Sequence, residues 1–209
     1  MVTSKPTMTI YGDPISGNCL KVKYTADKLG LPYEWCHINV LKDETRTPSF
    51  LAMNPMGQVP AIVLADGRVL AQSNAIIRYL ASGSSLLPAD AFQAAKVDEL
   101  LFWEQYSHEP YVAVCRFQMA YLNKAKNQRE AWRVKRGEVA LDFMEDLLTG
   151  RKWFASQSIT IADICLFGYT RLADEGGFDL SSRPYILHWI KRCEDALGLP
   201  HRQMTIHRD

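Results

Sequence analysis

Ser16-Gly17-Asn18-Cys19 places a hydroxyl, a carboxamide and a thiol within four residues. Ahead of it Met8-Thr9-Ile10-Tyr11 has strand composition and Gly12-Asp13-Pro14 is turn chemistry. Behind it Cys19, Val22, Ala26 and Leu29 recur at helical spacing until Gly30-Leu31-Pro32. The group therefore falls on the first turn of a helix. Unsatisfied N–H groups and the helix dipole favour an anion there and lower the pKa of a nearby thiol. Ser and Asn at such a place are also ordinary caps, and a pair taken alone signals capping before chemistry.

Two more features bear on the same chemistry. Gln58-Val59-Pro60 precedes the apolar run Ala61 to Leu64. Proline has no N–H for a sheet ladder, so it belongs at the first residue of a strand or beside it. The dipeptide reads either as a plain strand entry or as a cis Val59-Pro60 bond that turns the Val59 backbone outward to pair with an extended peptide. Ser73, or Gln72 just ahead of it, caps another helix with apolar face Ile76, Ile77 and Leu80. Two helix N-termini and one outward-facing backbone make a pocket for a small, anionic, peptide-like ligand.

Other chemistries lack their residues. Phosphate loops of the GxGxxG or GxxxxGK[ST] kind are absent, which counts against a nucleotide cofactor. Cys19, Cys36, Cys115, Cys165 and Cys193 are scattered and odd in number, with no CxxC pair and no Cys/His metal spacing. That usage suits a reducing compartment. His37, His108, His188, His201 and His207 are far apart, and spacing alone does not assemble a Ser-His-Asp site. Each histidine reads first as a surface or core residue.

The elements that position these groups are of two kinds. Tyr33 to Val40 reads as a strand parallel to the first, because a βαβ crossover is right-handed. A charged loop, Lys42 to Pro48, leads to a short helix at Ser49 to Met53 that Asn54-Pro55 breaks. Asp66-Gly67 between Ala61–Leu64 and Arg68–Ala71 predicts a tight antiparallel hairpin. The order is βαβαββα, an α/β unit with a mixed four-stranded sheet. Ser82 to Pro88 then reads as linker.

Beyond it the pattern is helical throughout. Ala91 to Lys124 predicts a long helix kinked or broken near Pro110, and Arg129 to Leu148 a second. Thr160 with Asp163 three residues on is an acidic capping box ahead of the apolar Ile161, Ile164, Cys165 and Phe167. A last helix runs from about Arg183 to Leu197, and the tail after Pro200 is polar.

Composition agrees with a generic soluble protein. At 209 residues the chain makes one large or two small domains, and a net charge of +1 offers no electrostatic case for nucleic acid or an anionic membrane. The start, MVTSKPTMTI, lacks the apolar core of a signal peptide, and no apolar run approaches the roughly 18 residues that span a bilayer. The expectation is a cytoplasmic protein.

Taken together, Ser16-Gly17-Asn18-Cys19, Asn54-Pro55-Met56-Gly57-Gln58-Val59-Pro60, Gln72-Ser73-Asn74-Ala75-Ile76 and Ser158-Ile159-Thr160-Ile161-Ala162-Asp163 resemble the cytosolic glutathione S-transferases, in their order and spacing, from Thr9 to about Leu197. The resemblance is to bacterial theta-like or nu-like members. It implies a thioredoxin-like domain over residues 1–82 that binds glutathione as co-substrate, a linker at 83–89, an all-helical domain over 90–209 that shapes the second-substrate site, and a homodimer. With no phosphate loop and no metal motif in the sequence, no metal and no nucleotide is expected.

Carried over by position, the resemblance makes Ser16 the donor to the glutathione thiolate, with Asn18 placed for a similar purpose. Val59 would bond the cysteinyl backbone, with Pro60 cis. Ser73 would take the γ-glutamyl carboxylate, assisted by Gln72, which stands where many members have Glu. Gln58 and Arg46 would serve the glycyl end. Trp103, Tyr106, His108, Tyr111 and Phe117, around the break in the first long helix, are the candidates for a hydrophobic or peroxide substrate.

Departures narrow the resemblance. No tyrosine occupies position 16, although Tyr11 is close, and Ile15 stands where the beta class carries cysteine. Cys19 lacks the partner of a thioredoxin-type CxxC, since that position is Ser16. Cys19 reads as a small buried residue. Conjugation of glutathione to hydrophobic electrophiles is the leading reading. A glutathione-dependent peroxidase or disulfide-bond reductase, and a non-catalytic ligand-binding protein of the same fold, stand as alternatives.

Overall fold

The computed structural model describes residues 7–203. The chain splits into two compact units, Met1–Leu87 and Pro88–Asp209. His207 and residues 204–209 of the polar tail lie outside the described residues.

In the first unit, β1 (Met8–Gly12), α1 (Gly17–Lys28), β2 (Tyr33–His37), α2 (Pro48–Met53), β3 (Ala61–Leu64), β4 (Val69–Ala71) and α3 (Ser73–Leu80) follow in that order. The sheet order is β2-β1-β3-β4, parallel between β1 and β2 and antiparallel for the other two pairs. Gly67 (φ +85°) makes the hairpin turn from β3 to β4. Ile10, Ile62, Val22, Ala26, Ile76 and Ile77 are fully buried and form the core between the sheet and its helices. Gly12 closes β1 because a Cβ there would lie 2.9 Å from the Trp35 ring and 3.2 Å from Cys19 Cβ.

The second strand stops at His37, short of the expected Val40. The Asn39 side chain accepts the N–H groups of Leu41 (3.0 Å) and Lys42 (3.1 Å), and a 3₁₀ turn over Val40–Lys42 replaces the strand. The expected linker is also more ordered than its composition suggests. Ser84 Oγ donates to Ala81 O at 2.8 Å and accepts from Leu86 N–H at 3.2 Å, and Leu86 and Leu87 are buried.

The second unit contains α4 (Ala91–Trp103), α5 (Glu109–Ala120), α6 (Ala131–Leu148), α7 (Ile161–Thr170) and α8 (Pro184–Leu197). The expected break in the first long helix is a single π-helical turn over Glu104–His108. Pro110 lies in the first turn of α5, where its missing N–H costs no hydrogen bond. Every residue of α7 is buried, as expected of a helix apolar on all sides, and it packs against α4, α5 and α8.

The start of α7 is held by one carboxylate. Asp163 accepts from Thr160 N–H (2.9 Å) and Thr160 Oγ (3.1 Å) through Oδ2, and from Phe154 N–H (3.1 Å) and Trp189 Nε1 (3.0 Å) through Oδ1. The expected capping box is thus also a tie from α7 to α8 and to the segment before it. Removing the carboxylate strands three buried N–H donors, at about 1–3 kcal/mol each. Asp163→Ala is therefore expected to destabilise the protein by at least about 3 kcal/mol. Urea unfolding of the two proteins checks this, and a loss below about 1 kcal/mol would contradict it.

Candidate active site

The sheet register gathers three connections at one end. Tyr11 pairs with Ala61, and Ala61 with Ala71. The turn leaving β1, the approach to β3 and the junction from β4 to α3 therefore emerge together. This is the carboxyl end of β1, where open α/β sheets bind ligands.

The first connection is braced by Asp13, which is buried. Its Oδ1 accepts from Ile15 N–H at 3.1 Å and its Oδ2 from Val40 N–H at 2.9 Å. Ser16 follows as the N-cap of α1, with Oγ accepting from Cys19 N–H at 3.4 Å. Its oxygen serves the helix, and the same hydroxyl carries one rotatable O–H donor. Cys19 itself is fully buried, and burial pushes its thiol up to about 11 despite opposing hydrogen bonds from Ser16 and the Asp13 backbone. At neutral pH it is protonated, so it is no nucleophile.

Asn18 links the first connection to the third. Its Oδ1 accepts from Lys21 Nζ at 2.8 Å and from Ser73 Oγ at 3.2 Å. Ser73 opens α3 and is buried, and Lys21 is completely enclosed. Two helix N-termini thus give this end of the unit a positive potential. Gln72, which precedes α3, has φ 70° and ψ 111° with an exposed side chain. For a residue with a Cβ this conformation costs about 1–3 kcal/mol, and such strain clusters at functional sites.

The second connection is shaped by Asn54, whose Nδ2 donates to Gln58 O at 2.7 Å and whose Oδ1 accepts from Met56 N–H at 3.3 Å. Gly57 adopts φ +60°, and a Cβ on it would lie 2.5 Å from Arg46 Nη1. The Arg46 guanidinium therefore rests on the turn next to the exposed Gln58. The Val59-Pro60 bond is cis. Among the described residues no backbone hydrogen bond engages Val59, which is half-buried.

Direct contacts join Ser16 to Cys19 and Asn18 to Ser73, while register and the Gly57 turn bring Gln58, Val59, Pro60, Gln72 and Arg46 to the same end of the sheet. Sequence reasoning missed Asp13, Lys21 and Asn54 as supports. Asp13 and Asn54 stand in Asp-Pro and Asn-Pro turns, a signal for bracing side chains. Lys21 carries no such mark, since a lysine on an amphipathic helix reads as solvent-facing.

In the helical unit the five expected second-substrate residues do not form one pocket. Trp103 and Tyr111 line a cavity of about 510 Å³ with Trp132, Phe143 and Arg136. Tyr106 is 77% exposed and Phe117 38%, and neither lines it. His108 corrects the expectation outright. It is fully buried and bonded through Nε2 to Thr170 Oγ1 at 3.0 Å, because the π turn rotates it into the core. Among the described residues no group of His, Cys, Asp or Glu is placed to hold a metal ion, and no helix is long and apolar enough to cross a membrane.

Residues 15–82 match the family described as "Glutathione S-transferase, N-terminal domain", and residues 103–196 the one described as "Glutathione S-transferase, C-terminal domain". The chain is 33% identical over 165 residues to "Glutathione S-transferase 3" of Zea mays, covering 75% of this chain and 73% of that protein. A crystal structure of a glutathione S-transferase from Pseudomonas fluorescens is 45% identical, with a TM-score of 0.87 over 90% of this chain and 94% of that one. A glutathione transferase homolog from Drosophila mojavensis, solved with bound glutathione, is 28% identical, with a TM-score of 0.82 over 91% of this chain and 88% of that one. With a mixed four-stranded sheet of thioredoxin-like order followed by a helical unit, and with both family domains matched in sequence, this chain belongs to the glutathione S-transferase family.

Proposed function

We propose that this glutathione transferase binds glutathione across the three connections at the carboxyl end of β1 and holds its sulfur as the thiolate at the start of α1. The observation that carries the proposal is the hydrogen bond from Ser73 to Asn18, which ties the α1 and α3 N-termini into one anion-favouring surface. Val59 offers an unengaged backbone to the cysteinyl residue, in the manner of a strand added to a sheet edge. The γ-glutamyl carboxylate is received by backbone N–H groups at the α3 terminus, because the Ser73 hydroxyl proton is already given to Asn18. Gln72 assists there without formal charge, and Gln58 and Arg46 serve the glycyl end.

The chemistry follows from those placements. A free thiol with a pKa of roughly 8.5 is only a few per cent ionised at pH 7. Donation from the Ser16 hydroxyl and the Asn18 amide stabilises the anion and lowers that pKa, with the proton lost to solvent. Neither residue is a base. The thiolate attacks an electrophilic carbon, the C–S bond forms, and the leaving group departs with the electron pair. Of the residues expected at the second-substrate site, Tyr106 and Phe117 are exposed, and we assign them to a hydrophobic second substrate in place of the buried His108. Trp103 and Tyr111 face their own cavity. The proposal extends to a homodimer in the cytoplasm, and to theta-like or nu-like character on the pairing of Ser16 with Asn18.

Ser16→Ala and Asn18→Ala are each expected to lower turnover of an aryl halide by on the order of 10²-fold, the usual cost of one preorganised donor, while the protein is still retained on immobilised glutathione. Parallel assays with a hydroperoxide and hydroxyethyl disulfide show whether either activity exceeds conjugation. Turnover unchanged by both substitutions would remove the roles assigned to these residues.

Gln72→Gly is expected to relieve strain of about 1–3 kcal/mol against an entropic cost of about 0.5–1 kcal/mol. The net gain is between about 0 and about 2.5 kcal/mol of stability, with a raised KM for glutathione. Thermal unfolding and steady-state kinetics measure the two, and a loss of stability beyond about 1 kcal/mol would refute the account of Gln72.

A further inference from the structure

Lys21 is wholly buried in the first unit, and its Nζ lies 2.8 Å from Asn18 Oδ1. An ammonium carries three donors and no acceptor, so only the oxygen of the Asn18 amide can face it. Ser73 Oγ supplies a second hydrogen bond to the same oxygen at 3.2 Å. The two ends of a carboxamide are nearly identical in shape, and the hydrogen-bond network decides which end points where. Here the network decides it strongly, since turning the amide over would set two N–H donors against a buried cation. The Nδ2 donors are therefore confined to the opposite edge of the amide plane. A charge-assisted bond at the oxygen also polarises the amide and strengthens donation from its nitrogen.

We infer that Lys21 is a positioning residue for thiolate stabilisation: its ammonium fixes and polarises the Asn18 carboxamide so that Nδ2 donates to the glutathione sulfur. The inference rests on the role proposed above for Asn18. Lys21 lies on a buried face of α1, with Gly17 and Thr25 one turn to either side buried as well, so its polar end must find its partners inside the unit. Lys21 touches no reacting atom in this arrangement and acts through Asn18.

The test is the pKa of enzyme-bound glutathione, followed by thiolate absorbance in the ultraviolet and by the pH dependence of kcat/KM. Lys21→Met keeps the length of the side chain and removes charge and donor. Its expected effect is a rise of about one pKa unit, which lowers the thiolate fraction most between the two pKa values and leaves activity at pH 9 and the KM for glutathione nearly unchanged. Lys21→Arg retains the cation and its donors and is expected to stay near the wild-type pKa. Should the methionine protein fail to fold, Lys21→Gln, a neutral donor, is expected to shift the pKa in the same direction by less.

The path through Asn18 is read from the double variant. Adding Lys21→Met to Asn18→Ala is expected to move the pKa no further than Asn18→Ala alone. A full additional shift would mean that Lys21 acts as a direct charge and would overturn the positioning role. An Asn18→Ala shift with none from Lys21→Met or Lys21→Gln overturns the inference and leaves the Asn18 role standing. No shift from Asn18→Ala refutes that role itself.

Discussion

β1 is hydrogen-bonded along both edges, parallel to β2 on one side and antiparallel to β3 on the other. A strand paired on both sides has no freedom of register, because a slip of one residue would turn Ile10 out of the core and Thr9 into it. Tyr11 is thereby held opposite Ala61, and through β3 opposite Ala71. The meeting of the three connections is a consequence of that pairing. Gly12 completes the constraint, since only a residue without a Cβ lets the strand end against Trp35 and Cys19 and begin the turn to Ser16.

Upon this frame the polar groups divide into those proposed to face glutathione and those that hold them. Asp13 ties the Ser16 turn to the segment after β2, Asn54 folds back on Gln58, and Lys21 and Ser73 converge on Asn18. Each support is buried or half-buried and hydrogen-bonded, as buried polar groups must be. The residues they hold are the more exposed ones. Sites made this way meet a ligand without reorganising, which is where catalytic electrostatics gains most over water. The same division explains Cys19, whose thiol packs under the turn and is kept protonated by burial.

In the helical unit the equivalent constraint is Asp163. One carboxylate satisfies the backbone at the start of α7, the indole of Trp189 and the Phe154 N–H, and the rings of Phe154 and Phe167 meet Trp189 edge-on, with centroids 5.0 and 6.1 Å away. The capping box legible in Ser158 to Asp163 reported the helix start. Its second function, as the link to α8, involves a residue 26 positions away and has no local signature.

Turn residues, helical and strand periodicity and the caps at Ser16, Ser73 and Thr160 are local signals, and the order of elements in both units was read from them with boundary errors of a few residues. Val40 fell outside β2 because the Asn39 side chain competes for the backbone, and the break near Pro110 proved to be the π turn ahead of it. The residues proposed to touch glutathione sit on or beside such signals, except Arg46, which lies in the charged loop and was assigned by the resemblance alone. What required the folded chain was burial and side-chain direction: Lys21 enclosed against Asn18, His108 turned inward to Thr170, and Trp103 and Tyr111 facing a cavity that Tyr106 and Phe117 do not share. Periodicity along a chain reports which face of an element is apolar. Which polar side chain is taken inside, and by what partner, depends on contacts between elements far apart in sequence, and no spacing records them.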